Sequence, residues 1–148
     1  MPMGHNPKTI TSANSVLMLR CEGVYDDYIR IQGFQADNAW EFGEANIGET
    51  RMGVDGKQSI GYTPHETPWT LYLEANSVST QVMENIRKDF NSNMETRFIE
   101  IIVEMPSIGK RYQGKGGMTT MTGGASGKKL LDGTSYNFNM VFEGAEEI

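Results

Sequence analysis

Glu100 and Glu104 are the carboxylates whose spacing comes nearest to an acid/base pair, because both fall on one face of the alternating segment 98–105. Four residues along a strand separate their Cα atoms by about 13 Å. That exceeds the roughly 5–9.5 Å between the carboxyl groups of glycoside-cleaving pairs, so a solvated or pore-lining row is the better reading. His5 and His65 lie in Pro-containing segments, and Cys21 is the sole thiol. A metal would need these to converge with a carboxylate, and no ligand spacing announces that. The run Gly123 to Lys129 (GGASGKK) looks superficially like a phosphate loop. It fails on spacing, since Thr122 stands at the first Gly position and Lys129 replaces the magnesium-binding Ser or Thr. No Ser–His–acid or Cys–His arrangement can be read either. The expectation is a non-enzyme without metal or cofactor.

The elements around these residues read as mainly β. A strand at about Ser15 to Glu22 ends at Gly23 and the Asp26-Asp27 turn. Ile29, Ile31 and Gly33 then alternate with Arg30, Gln32 and Phe34, the period of a half-buried strand, which Asn38 to Phe42 continues. Residues 43–62 hold five Gly and few large apolar side chains, with a turn at Val54-Asp55-Gly56-Lys57. A stretch of that length without core residues belongs outside the core, and its flanks, Asp37 to Phe42 and Tyr62 to Ala75, can pair as a hairpin. Trp69, Leu71 and Leu73 give the next strand. Val78, Val82, Ile86 and Phe90 recur every four residues and predict a helix, with Ser77 or Ser79 able to cap it and Asn91 or Asn93 to end it.

Ile99, Ile101, Val103 and Met105 form a buried face, while Phe98, Glu100, Ile102 and Glu104 make a mixed one that implies contact with another molecule or a restricted space. Lys110 to Thr122 is a weaker, Gly-broken strand, and the last strand, Ser135 to Phe142, turns Tyr136, Phe138, Met140 and Phe142 to one side. Six to seven strands and one flanking α-helix predict an antiparallel β-sandwich or barrel. The chain, 1–148, is one domain, with a polar arm at 1–13, a long loop at 43–62 and a C-terminal tail at 144–148.

Composition narrows the function. The 148 residues carry 13 Lys and Arg against 19 Asp and Glu, a net charge of −6, the reverse of what a nucleic-acid gripping chain shows. Mean hydropathy is −0.45, and no apolar run approaches the roughly 20 residues that span a bilayer; nor does the N-terminus read as a secretory signal. Acids crowd 22–49 and bases crowd 110–129, which fits a bipolar subunit whose two regions meet across copies of itself. Ten Met add adaptable contact surface.

Four segments together carry a resemblance. Ile10 to Arg20 (ITSANSVLMLR), Ile31 to Phe42 (IQGFQADNAWEF), Arg51 to Tyr62 (RMGVDGKQSIGY) and Met105 to Thr120 (MPSIGKRYQGKGGMTT) resemble, in order and spacing, tail tube proteins of contractile-tailed bacteriophages. The resemblance implies the tail tube fold, related to type VI secretion tubes, and hexameric rings stacked into a hollow tube through which DNA leaves the virion. It also implies partners: further copies of the chain, the tail sheath, and baseplate and tail terminator proteins, with DNA passing unbound and no membrane. The protein is then expected in the virion tail after synthesis in the host cytoplasm. By the same analogy, lumen hairpins fall at 28–42 with 62–75 and 97–105 with 110–122. Asp37, Glu41, Glu100 and Glu104 become candidates for the channel wall, whose negative sign would repel phosphate. Arg51, Met52, Val54, Asp55 and Lys57 become candidates for inter-ring contact.

Three other readings compete. A tube protein of a phage-like bacteriocin or of a type VI secretion system shares the fold. A monomeric β-sandwich binding module would use Trp40, Trp69 and Tyr72 as an aromatic platform. A hydrolase on paired carboxylates lacks the geometry.

Overall fold

The computed structural model describes residues 4–5, 7–36, 38–122 and 124–148; Asp37 lies outside the described residues. In chain order the elements are β1 (Val16–Cys21), β2 (Tyr25–Ile31), β3 (Trp40–Phe42), β4 (Gly48–Met52), β5 (Gln58–Tyr62), β6 (Thr67–Leu73), α1 (Thr80–Asn93), β7 (Ile99–Met105), β8 (Lys110–Met121) and β9 (Thr134–Glu147). Seven strands form one sheet in the order β2-β1-β7-β8-β9-β6-β3, and among the described residues β4 pairs only with β5. Every pairing is antiparallel. The main sheet thus has the strand number the alternation predicts, while the second, two-stranded sheet arises inside the segment read as a loop.

The main sheet curls back on itself. Ile31, the end of β2, pairs with Leu17 of β1 at one edge, yet three residues later Phe34 bridges Leu73 of β6 near the other. The Glu74 amide donates to Gly33 O at 2.8 Å and the Gln35 amide to Tyr72 O at 3.4 Å. Three residues reach at most about 10 Å, so the two borders of the sheet meet there and the strands enclose a core. The segment 38–42 therefore does not prolong β2; it pairs with β6 on the opposite border. Gly33 makes the switch. It sits at φ +74°, and a Cβ there would lie 2.4 Å from Ser77 Oγ. A left-handed residue breaks the two-residue alternation, which is why Phe34, read as facing away from Ile31, joins the core edge and meets Trp40 edge-to-face at 5.5 Å.

Leu17, Leu19, Trp69, Leu71, Leu73, Ile99, Ile101, Val103, Tyr136, Phe138 and Met140 fill the interior. They are the alternate residues of β1, β6, β7 and β9, as period two requires. The helix adds Met83 and Ile86, with Val82 and Phe90 half-buried beside them. It starts two residues later than the apolar repeat predicts, and Val78 is exposed. Ser79 occupies the cap position, but its side chain makes no capping bond to the helix; its Oγ accepts from the Gln32 amide at 2.8 Å, while Ser77 Oγ accepts from the Ser79 amide at 3.2 Å. The two serines tie the helix start to the chain leaving β2. Met94, in the left-handed conformation, ends the helix after Asn93.

Glycine does not weaken β8 as its sequence implies. The strand runs twelve residues because its glycines admit β9 at close range. A Cβ on Gly116 would stand 2.1 Å from Asn139 O, and one on Gly114 would strike the Phe142 ring at 2.5 Å. Residues 144–147, read as a tail, continue β9: Glu147 pairs with Lys110, Glu146 with Arg111 and Ala145 with Tyr112. The β8 strand offers an otherwise unpaired backbone there, and open backbone groups find partners.

Candidate functional site

The outward side of the main sheet divides into two regions of different chemistry. On β1, β7 and the first half of β8, antiparallel register places Arg20 opposite Glu100 and Glu100 opposite Lys115; two rows on, Glu104 lies opposite Arg111 and Arg111 opposite Glu146. The register translates into ion pairs. Arg20 bonds Glu100, and Arg111 lies 3.4 Å from Glu104 and 3.3 Å from Glu146. The Arg20 guanidinium is held further above its ordinary pKa, first by the Glu100 hydrogen bond. Lys115 covers the exposed Phe98 ring at 5.1 Å, and Phe98, Gly114, Val141 and Glu143 line a shallow groove beside it.

The other region, on β3, β6, the first half of β9 and the second half of β8, is a ladder of hydroxyls and amides. Glu41 lies opposite Thr70, Thr70 opposite Asn137, and Asn137 opposite Thr120. Thr70 Oγ1 donates to Asn137 Oδ1 at 2.9 Å, and Asn137 Nδ2 donates to Thr120 Oγ1 at 2.7 Å. Glu41 accepts from the Tyr72 hydroxyl at 3.1 Å and from Asn38 Nδ2 at 3.4 Å. The Tyr72 pKa is raised, by burial first and then by Glu41.

These placements separate the sequence candidates. Glu100 and Glu104 share a face, but each is bound to an arginine, so neither forms a free acidic row. Glu41 belongs to the neutral ladder. Two of the bases of 110–129 form ion pairs within the chain: Arg111 as above, and Lys128 with Asp132 at 2.7 Å. His65 Nδ1 lies 2.9 Å from Thr63 O. Trp69 is 1% exposed and Trp40 packs on Phe34, so Trp40, Trp69 and Tyr72 form no aromatic platform. The alternation of Asn137 and Asn139 was visible in the sequence; the ladder was not, because it depends on which strands lie beside β9.

Arg51, Met52, Val54, Asp55 and Lys57 all fall on the hairpin of β4 and β5 or its turn. All ten residues of the two strands are exposed, with Met52 at 65%, Ile60 at 83% and Tyr62 at 77%. An isolated two-stranded hairpin is marginal in water, and this one holds its apolar side chains in the open.

The family described as tail fiber protein gp32 matches residues 8–144. The chain belongs to that family. It is thus a phage-tail-related protein. Its fold is shared by a chain from the cryo-EM structure of an extracellular contractile injection system, the PVC sheath–tube complex in its extended state. The two superpose with a TM-score of 0.55 at 10% identity, covering 89% of this chain and 88% of the other. A search of curated proteins found no match. The tail relation comes from the family; at this identity the superposition speaks for the fold alone.

Proposed function

We propose that the chain is a structural tail tube subunit, assembling into stacked hexameric rings whose inner channel carries DNA during ejection from a contractile phage tail. The observation that carries this reading is the β4–β5 hairpin. It stands apart from the curled main sheet, pairs, among the described residues, with no strand but its own partner, and exposes every strand residue. A subunit that joins its own kind through a heterologous contact has such a projecting element and a different receiving surface, which lets a ring or a stack propagate. The borders β2 and β3 support it too, since each offers unpaired backbone that a neighbouring copy can cover.

In this reading the sheath surrounds the rings, and baseplate and terminator proteins close the two ends. A bacteriocin or secretion tube uses the same subunit design with a different cargo. The family's description raises a second reading, a fibre subunit, which predicts a solid filament. Negative-stain microscopy of the purified chain separates them. Hollow rings or tubes are expected; solid fibres, or a monomer at high concentration, overturn the proposal.

A further inference from the structure

We infer that the channel wall is the neutral ladder, presented by Glu41, Thr70, Tyr72, Asn137, Asn139 and Thr120, a surface along which a polyanionic duplex slides without being held. This rests on the tube reading above and says which face of the subunit turns inward.

A conduit for DNA needs a surface with little affinity for phosphate. Each Lys or Arg that neutralises a phosphate releases counterions and adds affinity, and in a tube every such cation recurs ring after ring. Among the described residues, the outward positions of β3, β6, the first half of β9 and the second half of β8 hold one acid, Glu41, and no base. The remaining outward half of the sheet holds Arg20, Arg30, Arg111 and Lys115. Its carboxylates balance those cations only while no phosphate competes for them.

Hydrogen bonding adds a second reason. A free amide or hydroxyl donor also binds phosphate oxygen, but the donors of Thr70, Tyr72, Thr119 and Asn137 are turned on neighbours within the ladder. Thr70 serves Asn137, Asn137 serves Thr120, and Thr119 Oγ1 donates to Asn137 O at 3.2 Å. Thr122 and Ser135 share a bond at 3.0 Å, and Tyr72 serves Glu41. What remains outward is a wetted polar surface whose one charged side chain per copy is the Glu41 carboxylate. The paired half, with exposed Phe98 and Val141 among its charges, has instead the mixed make-up of a protein contact.

The test uses single thiols. Cys21 is fully buried and stays silent, so Asn137→Cys and Asn139→Cys each add one reporter. Assembled tubes are treated with N-ethylmaleimide or with a maleimide carried on a large poly(ethylene glycol), and dissociated subunits with both. A wall position reacts with the small reagent in the tube, reaches the large one only after dissociation, and leaves assembly intact. Reaction with both reagents in the tube puts the face outside; reaction with neither puts it between subunits; loss of tubes in Asn139→Cys makes it a contact. Each of these overturns the inference while the tube stands. If the unmodified chain forms no tube, the tube reading itself fails, and the inference with it.

Discussion

Arg111 lies across the β7–β8 ladder from Glu104, with Nε 3.4 Å from the carboxylate, and reaches Glu146 of β9 with the same guanidinium. One arginine therefore joins three strands. Both carboxylates stay partly solvated, at 34% and 66% exposure, and solvent-screened pairs contribute about 1 kcal/mol or less.

Glu104→Gln is accordingly expected to lower unfolding stability by no more than about 1 kcal/mol, with the difference shrinking as salt is added. Urea titration at low and high ionic strength measures it. A salt-insensitive loss of several kcal/mol would mean that the pair is the anchor of this sheet region and not a surface contact.

Gly116→Ala should be among the most damaging small substitutions in the chain. The added methyl meets the backbone of Asn139 and Met140, which cannot rotate away, so β8 and β9 must separate. The expected loss is roughly 1–3 kcal/mol or more. Gly117→Ala, next to it, meets nothing within 4 Å and is the control, expected within about 0.5 kcal/mol of the parent. Equal effects in a thermal melt would show that strand propensity, not close approach, governs β8.

Replacing residues 49–61 by a short Gly-Ser turn should leave the fold and abolish stacking. Gly48 and Tyr62 face each other across the ladder, so the turn closes without strain on β3 or β6. Circular dichroism and the melting temperature should stay near those of the parent, while microscopy shows isolated rings. Tubes formed normally by this variant would end the inter-ring role of Arg51, Met52, Val54, Asp55 and Lys57.

Cys21 gives an alkaline signature. Burial raises its thiol to about 11, above the ordinary value near 8.5. The unfolded chain therefore loses this proton before the folded one, and stability present below pH 8 declines as pH rises through about 9 to 11. The decline amounts to roughly 2–3 kcal/mol. Cys21→Ala should lower stability at neutral pH but show a shallower loss between pH 8 and 11 in denaturant titrations. Tyr136, also raised by burial, keeps a residual slope in both proteins. Parallel curves would show that the thiol does not ionise differentially.

What the sequence determined by itself was the local and the periodic. The alternation of Leu17 and Leu19, of Trp69, Leu71 and Leu73, and of Tyr136, Phe138 and Met140 fixed strands and their buried faces, because side chains of a strand point in turn to opposite sides. The four-residue repeat through Val82, Ile86 and Phe90 fixed the helix for the corresponding reason. The Gly-rich, core-free run at 43–62 already indicated a segment outside the core. Tertiary structure decided everything that depends on which strands are neighbours. The left-handed turn at Gly33 sends β3 to the far border of the sheet, the glycines of β8 act as sockets for β9, and register matches Glu100 and Glu104 with arginines while it links Thr70, Asn137 and Thr120. Periodicity names the face on which a residue sits; only the pairing of distant strands says what stands beside it.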